Sequence, residues 1–302
     1  MFSAKVKSYA KVNLSLNIAG TAGGYHLIDS VVCSIGVHDT VCARPRGDTL
    51  INVYMHGMGS ERIPPEKNNA VRAGEAFVSA FGTRGADIEI YKDIPVGAGL
   101  GGSSADAAGV LNVLEKLYKT GKAGEIKALA DSLGSDTGYM LGGGFARLSG
   151  RGERVEKLAG MPLHFLLILP PTPVSTAECY RAYDAAPDPL RAESSRLCRA
   201  LAAKDLAGVA QNVYNALGAP AARLNRDVAA ALEQAAQLSP LAFAVTGSGS
   251  GVFALFETRE LCLWAKSRYR GKFRTRVVET VPEKKAFLRN PFVLDANNQN
   301  KE

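Results

Sequence analysis

Apolar and polar residues alternate at the beginning of the chain, and this pattern predicts a β-strand. The apolar members of the pattern are Val6, Val12, Leu14, Leu16 and Ile18. Further strand-like stretches cover residues 31–35 and 50–54, and helical spacing of apolar residues predicts a helix at about residues 69–81. Residues 87–92 alternate again, which predicts a strand with one face in solvent.

A glycine-rich run follows and leads into a second helical pattern. Residues 95–109 read PVGAGLGGSSADAAG, and Ser103 or Ser104 is expected to cap the helix. The apolar positions of that helix are Ala107, Val110, Leu111, Leu114, Leu117 and Tyr118. Glycines let backbone N–H groups approach a ligand, and a helix N-terminus favours negative charge. The run therefore predicts a phosphate-binding loop.

Two known glycine motifs resemble this run but do not fit its context. Gly97, Gly99 and Gly102 satisfy the G-x-G-x-x-G pattern of dinucleotide-binding folds. That fold, however, needs a first strand buried on both faces, whereas residues 87–92 alternate. The P-loop pattern needs a lysine after its last glycine, and none stands here. The structural alternative is a flexible turn before a helix.

Further helices, a buried strand and a second glycine cluster are predicted after this run. A short helix near residues 125–132 leads to Gly134, Ser135 and Asp136, and residues 165–169 form a run typical of a buried strand. Alanine-rich helices follow between residues 176 and 238. A second glycine cluster, TGSGSG at residues 246–251, separates two apolar runs. It predicts either a tight turn or a second set of donors for an anion.

These elements follow an α+β order without strict β-α-β alternation. The length of 302 residues allows two domains. We place the boundary near residue 158, which gives an N-terminal domain at residues 1–158, a C-terminal domain at residues 159–290 and a polar tail at residues 291–302.

Charge and composition narrow the classes of function. The net charge of +7 suits anionic small substrates and also nucleic acid. No stretch approaches the ~20 apolar residues that span a bilayer, and lysines interrupt the N-terminus where a secretion signal needs an apolar core. We therefore expect a cytoplasmic protein with no membrane partner. Five scattered cysteines without a C-x-x-C pair argue against a disulfide framework or a zinc site.

The nucleic-acid alternative depends on a basic stretch with Tyr269 and Phe273 interleaved. Its six cations are Lys266, Arg268, Arg270, Lys272, Arg274 and Arg276. The pattern predicts a helix at residues 257–270, a C-cap at Gly271 and a strand at residues 272–278, so the cations would not share one face. We favour a solvated helix end and an edge strand, with no nucleic-acid partner.

Three separated segments together resemble the motifs of the GHMP small-molecule kinases. They are Lys11-Val12-Asn13, residues 95–104 and Thr246-Gly247-Ser248-Gly249. Shorter similar pieces are Gly24-Tyr25-His26 and residues 100–108, 133–136, 150–153 and 174–178. Alone, Lys11 on the polar face of a strand predicts only a solvated side chain. The resemblance covers residues 8–280 and is strongest to the kinases of 4-diphosphocytidyl-2-C-methyl-D-erythritol.

This resemblance implies a two-domain α+β fold in which the substrates meet in a central cleft, with ATP and Mg²⁺ as cofactors. It implies phosphorylation of the 2-hydroxyl of that substrate, a step of non-mevalonate isoprenoid biosynthesis. Asp136 would act as base with Lys11 beside it; the structural alternative for Asp136 is a helix N-cap. The expected ATP-binding residues are Pro95, Gly97, Gly99, Leu100, Gly101, Gly102, Ser103 and Ser104. Ser104 is a candidate Mg²⁺ ligand, and Asp106 is expected to complement the helix dipole.

The small-molecule substrate is expected to bind a second set of residues, namely Asn13, Tyr25, His26, Tyr180, Thr246, Gly247 and Ser248. The Tyr25 ring would stack on cytosine while His26 bonds to the base edge. By resemblance, Tyr180 would close the other face of the base.

Three positions depart from the family's pattern. Gly23 stands for an aspartate, Gly138 for a proline and Phe145 for a small polar residue. These changes affect positioning more than chemistry, so they bear on substrate choice and efficiency before ATP binding, and the sequence leaves open whether they alter either. The alternatives are another GHMP kinase, acting on mevalonate, homoserine or a sugar, and a non-catalytic nucleotide-binding protein. The sequence leaves a monomer and a homodimer open.

Overall fold

The computed structural model describes residues 4–57, 59–63, 68–187 and 193–281, so the predicted polar tail lies outside the described residues. Its strands are β1 (Ala4–Ala22), β2 (Tyr25–Pro45), β3 (Ile51–His56), β4 (Ala86–Tyr91), β5 (Phe145–Gly150), β6 (Arg154–Leu158), β7 (His164–Leu169), β8 (Tyr214–Asn215), β9 (Ala242–Val245), β10 (Val252–Phe256) and β11 (Arg274–Glu279). Its α-helices are α1 (Asn69–Phe81), α2 (Gly102–Tyr118), α3 (Ala123–Leu133), α4 (Thr137–Gly142), α5 (Thr176–Ala185), α6 (Ser194–Ala203), α7 (Leu206–Gln211), α8 (Gly218–Leu224), α9 (Arg226–Ala236) and α10 (Arg259–Arg268).

The first sheet is built on the long antiparallel pair β1 and β2. Its main path runs β3-β4-β2-β1-β8, and β5 and β6 extend from the first part of β2. Gly23 and Gly24 join β1 to β2 with φ of 57° and 79°. Positive φ at both positions defines the type I′ hairpin turn, which favours glycine, asparagine and aspartate. Gly23 thus occupies a position that the family's aspartate would also fit.

The second sheet is antiparallel and runs β11-β7-β10-β9. β7 is fully apolar after His164 and buried, as the sequence predicts, and β11 is an edge strand. The second glycine cluster connects β9 to β10. Because β8 comes from the second half of the chain yet pairs with β1 in the first sheet, backbone hydrogen bonds join the two halves of the chain. The division at residue 158 stays a prediction.

Local sequence signals explain where α1 begins and ends. Asn68 caps it by accepting a hydrogen bond from the N–H of Ala70 at 3.0 Å, and Gly82 ends it in the left-handed region with φ of 61°. The predicted bounds of this helix are confirmed. α2, α3 and α1 pack on the first sheet around a core that includes Phe77, Ile88 and Leu111. A second core joins β1 and β2 to β7 and β10.

Two predicted helix caps are wrong. Gly101, with φ of 74°, is the N-cap of α2, so Ser103 and Ser104 fall within the first turn instead of capping it. α10 ends at Arg268 with Tyr269 as C-cap, not Gly271. A Cβ on Gly271 would lie 2.1 Å from Oε1 of Gln234, so the glycine there provides close packing rather than a helix end.

Candidate active site

The three motif segments meet in space, although more than 230 positions separate the first from the last. The backbone N–H of Lys11 in β1 donates to the carbonyl of Leu100 at 3.1 Å, which holds the first glycine loop against the strand. The N–H groups of Ser250 and Gly251 donate to the carbonyls of Gly97 and Ala98, both at 3.2 Å. The two glycine segments are therefore adjacent, hydrogen-bonded loops.

Close approach explains why glycine stands at three positions of the first loop. Gly97, Gly99 and Gly101 have φ of 76°, 69° and 74°, a region that disfavours other residues. A Cβ on Gly99 would lie 2.0 Å from the carbonyl oxygen of Thr246, and one on Gly101 would lie 2.3 Å from Cε of Met140. The loop is thus fixed between the second glycine cluster and α4.

Lys11, Asn13 and Asp136 form a compact polar constellation. Lys11 and Asn13 are 5% and 3% exposed, so the reading of Lys11 as a solvated lysine is wrong. The Nζ of Lys11 donates to Oδ1 of Asn13 at 2.5 Å and lies 3.6 Å from Oδ2 of Asp136. A lysine ammonium has three donors, so a third N–H remains for a ligand beyond these two neighbours.

Asn13 connects this constellation to the second glycine cluster. Its Oδ1 also accepts from the N–H of Gly247 at 3.0 Å, and its Nδ2 donates to Oγ of Ser30 at 2.8 Å. Its own backbone N–H donates to Oγ1 of Thr246 at 3.2 Å. The amide therefore has a fixed orientation and holds Lys11 in one position.

Asp136 is available for chemistry because its side chain makes no helix-capping hydrogen bond. It stands at the N-cap position of α4, as the structural alternative predicts, but its side chain makes no hydrogen bond to the first turn of the helix. Its side chain is 28% exposed. Buried Tyr139 of the same helix bonds to Ser34 at 3.0 Å and to the carbonyl of Gly144 at 2.8 Å. These bonds fix α4 and, with it, the backbone that carries Asp136.

Two departures from the family's pattern are accommodated by packing close to this helix. A Cβ on Gly138 would lie 1.9 Å from Oδ1 of Asp131, which pairs with Lys127 at 2.5 Å. The Phe145 ring occupies the space beside Gly160, where a Cβ would approach it to 2.1 Å. In both cases a glycine compensates for a larger group nearby.

The first glycine loop borders a cavity of about 240 Å³. All eight residues expected to bind ATP line it, together with Ile63, Asn68, Lys92 and Asp106. The N-terminus of α2 opens on the same loop, and its backbone N–H groups supply donors for phosphate. The geometry therefore suits a bound polyphosphate.

Sequence reasoning missed a buried ion cluster at the wall of this cavity. Nζ of Lys92 lies 2.6 Å from Oδ2 of Asp106 and also contacts Asp39. The sequence predicted that Asp106 complements the helix dipole. In the structure it pairs with Lys92 instead. Burial raises the pKa of Asp106 to about 8, against the opposing effect of Lys92. Burial lowers the pKa of Lys92, but Asp106 and Asp39 outweigh it and raise that pKa overall.

This cluster anchors both ends of the first glycine loop. Oδ1 of Asp39 accepts the N–H groups of Asp93 and Ile94 at 2.7 Å and 2.9 Å, just before the loop begins. Asp106 lies in α2, just after the loop ends. The three partners come from β2, from the segment after β4 and from α2. No local motif could have revealed a contact between residues so far apart in sequence.

Of the residues expected to bind the cytosine base, Tyr25 and His26 lie at the tip of the β1–β2 hairpin, and Tyr180 lies in α5. Nε2 of His26 lies 2.8 Å from Oδ1 of Asp184, and its ring stacks on Tyr180 with centroids 4.5 Å apart. Tyr180 therefore contacts the imidazole directly. Burial, with a smaller effect from the charge of Asp136, raises the pKa of Tyr180 to about 12. In the second glycine cluster, Oγ of Ser248 lies 2.9 Å from Oγ1 of Thr176 at the start of α5.

The basic stretch of the nucleic-acid alternative is divided between two elements. Lys266 and Arg268 end α10, whereas Arg274 and Arg276 belong to β11. Arg276 pairs with Asp93 at 2.8 Å and Lys272 with Asp227 at 3.0 Å. The stretch thus agrees with the predicted helix end and edge strand.

Comparisons with known proteins identify the family. The model described as "GHMP kinases N terminal domain" matches residues 68–146, and "GHMP kinases C terminal" matches residues 197–261. A protein of Pelotomaculum thermopropionicum, named 4-diphosphocytidyl-2-C-methyl-D-erythritol kinase, is 39% identical over 266 residues, or 86% of this chain and 92% of that protein. The chain belongs to the GHMP kinase family. It is accordingly a small-molecule kinase with a mixed α and β fold.

Further relatives agree. A protein of Desulfitobacterium hafniense with the same name is 36% identical, and the match covers 87% of this chain and 92% of that protein. A crystal structure of 4-(cytidine 5'-diphospho)-2C-methyl-D-erythritol kinase has a TM-score of 0.76 and 29% identity, covering 92% of this chain and 99% of that one. Homoserine kinase from Cytophaga hutchinsonii, at 21% identity and a TM-score of 0.69, shares the fold. Among the described residues, no helix has the length and apolar character needed to cross a bilayer.

Proposed function

We propose that this kinase transfers the γ-phosphoryl group of ATP to the 2-hydroxyl of 4-diphosphocytidyl-2-C-methyl-D-erythritol, within non-mevalonate isoprenoid biosynthesis. The observation that carries the proposal is the Lys11–Asn13–Asp136 constellation beside the glycine loop, in a chain whose curated relatives bear that substrate's name. The α+β fold and the assignment to the GHMP kinases follow the expectation from sequence.

Asp136 removes the proton of the attacking hydroxyl in this proposal. Its carboxylate is partly exposed and is not used for capping, so it can accept that proton from a bound alcohol. A positioned base contributes about 10²–10⁴ in rate. Lys11, held by Asn13, keeps its charge 3.6 Å from the base and offers its remaining donor to the substrate oxygen.

The glycine loop and the N-terminus of α2 bind the phosphates of ATP. Gly97, Gly99 and Gly101 let the loop pack closely against Pro173, Thr246 and Met140, which fixes its shape, and the α2 dipole favours the anion. Ser104 lines the same cavity, which supports a role of its hydroxyl as Mg²⁺ ligand. Mg²⁺ held there would offset charge on the transferring phosphoryl group.

The cytidyl end of the substrate binds at the hairpin tip. Tyr25 is 55% exposed, so a ring face is available for stacking on cytosine. In this proposal His26, Tyr180, Asn13 and the second glycine cluster complete the substrate site, and the two substrates meet in a cleft between residues 1–158 and residues 159–290. A site for a small-molecule substrate is compatible with a monomer and with a homodimer.

ADP release tests the proposal. Wild type is assayed with ATP, Mg²⁺ and either the cytidylated substrate, mevalonate or homoserine, alongside Asp136→Asn and the exposed control Glu75→Gln. We expect release only with the cytidylated compound, a loss of about 10²–10⁴ in kcat for Asp136→Asn, and no change for the control. Release with mevalonate or homoserine instead would reject the substrate, and full activity of a folded Asp136→Asn would reject the base.

A further inference from the structure

The turn between β5 and β6, residues 150–153 with the sequence Gly-Arg-Gly-Glu, has no role in the mechanism above, although it is part of the family resemblance. Its arginine contacts Tyr25, one of the residues proposed to bind the cytidyl group. The guanidinium carbon of Arg151 is 4.0 Å from the centroid of the Tyr25 ring. We propose, resting on the proposed function, that Arg151 is a specificity-determining residue that positions Tyr25 and adds positive charge where the cytidine diphosphate binds.

The turn itself is rigid. Gly150 and Gly152 have φ of 71° and 114°, and the N–H of Gly152 donates to the carbonyl of Ser149 at 3.2 Å. Oε2 of Glu153 accepts the backbone N–H of Arg151 at 2.7 Å. The backbone that carries Arg151 is thus fixed by hydrogen bonds within the turn, and its side chain starts from a defined position.

The guanidinium lies on Tyr25 without a competing acidic partner. Among the described residues, no carboxylate forms an ion pair with Arg151, and the hydroxyl of Tyr25 makes no hydrogen bond. A planar guanidinium stacks well on an aromatic face, whereas an ammonium does not. The contact covers one face of the ring and leaves the charge of Arg151 free to meet an anionic ligand. Tyr25 itself stays more than half exposed.

The same turn contacts the segment that carries the proposed base. A Cβ on Gly152 would lie 3.1 Å from the carbonyl oxygen and 3.2 Å from Cβ of Ser135, the neighbour of Asp136. One short turn therefore lies against both Tyr25 and the backbone next to Asp136.

The chemistry of the ligand follows from these contacts. A flat base that stacks on Tyr25 would use the face that Arg151 does not cover, because the guanidinium occupies the other. A diphosphate linked to that base would meet the unpaired guanidinium as a charge-assisted partner. Mevalonate and homoserine have no nucleobase and no diphosphate to use these groups.

Kinetics of Arg151→Met, Arg151→Lys and the matched control Arg154→Met test the proposal; Arg154 is in the same hairpin and is 79% exposed. We expect Arg151→Met to raise KM for the cytidylated substrate about 3- to 10-fold, in keeping with a cation–π contact and a partly exposed charge pair. KM for ATP and kcat should stay within about twofold of wild type, because the change leaves the glycine loop and Asp136 in place. Arg151→Lys should recover only part of the loss, and Arg154→Met should resemble wild type.

A double-variant cycle shows whether Arg151 acts through Tyr25. Tyr25→Leu and Arg151→Met should each raise KM, and the double variant should raise it by less than the product of the two effects, since the contact is lost only once. Effects that multiply, or an unchanged KM in folded Arg151→Met, would overturn the inference while wild-type turnover stands. Wild type without turnover of the cytidylated substrate would overturn the proposed function, and this inference with it.

Discussion

Gly99→Ala tests whether the two glycine segments must touch for the site to exist. The added Cβ would lie 2.0 Å from the carbonyl oxygen of Thr246, against an ordinary carbon–oxygen contact of about 3.3–3.6 Å. The chain must therefore open by more than 1 Å at a point where both neighbours are backbone. That shift strains the 3.3 Å bond from Thr246 to the carbonyl of Gly99 and the 3.0 Å bond from Gly249 to Thr246.

Gly121→Ala is the matched control for this substitution. Gly121 has φ of 71°, almost the 69° of Gly99, but a Cβ there meets no atom within 4 Å. Both variants incur the cost of a left-handed residue, about 1–2 kcal/mol. Only Gly99→Ala also incurs overpacking, which costs about 1–3 kcal/mol. The difference between the two therefore measures the contact between the segments.

Urea unfolding and ADP release read the result. We expect Gly99→Ala to lower the free energy of unfolding by about 1–3 kcal/mol more than Gly121→Ala does. We also expect it to raise KM for ATP, because the phosphate-binding backbone moves, whereas Gly121→Ala keeps the wild-type KM. Equal destabilisation by both variants, or a wild-type KM for ATP in folded Gly99→Ala, would refute the reasoning.

Three further outcomes follow from the structure. Lys92→Met should lower the free energy of unfolding, measured in urea, by about 3–5 kcal/mol, because buried Asp39 loses its counter-ion. Adding Asp39→Asn to this variant should recover part of the lost stability. The pKa of Asp106 is about 8 in the folded chain and near 3.8 when unfolded, so the folded state retains the proton between these values. Stability should therefore fall as pH rises through this window, and thermal unfolding from pH 5 to 8 should show a weaker fall in Asp106→Asn. Gly23→Asp should leave KM for both substrates unchanged in ADP release, since the type I′ turn accepts aspartate.

Short-range features were predictable from the sequence. The bounds of α1, the half-solvated strand β4 and the buried strand β7 follow from spacing and burial patterns that operate within one element. The position of the first glycine loop at the start of α2 follows in the same way. The helix caps were less accurate, because whether a serine or a glycine ends a helix depends on backbone angles that residue type only biases.

Long-range features could not be read from spacing. The burial of Lys11 depends on Asn13, Asp136 and Gly247, of which the last two lie far away in sequence. The Asp39–Lys92–Asp106 cluster has no local signature, and neither has the contact of Arg151 with Tyr25. A family resemblance points to several of these residues, but it does not supply the partners that fix them.

The placement of Asn13 explains why the site needs both halves of the chain. Its amide oxygen accepts from Lys11 in β1 and from Gly247 after β9, while its nitrogen donates to Ser30 in β2. Without the C-terminal cluster, Oδ1 loses one donor and Lys11 loses the rigid partner that aims it at Asp136. The geometry of Lys11 and Asp136 is therefore completed only when the second glycine cluster docks on the first.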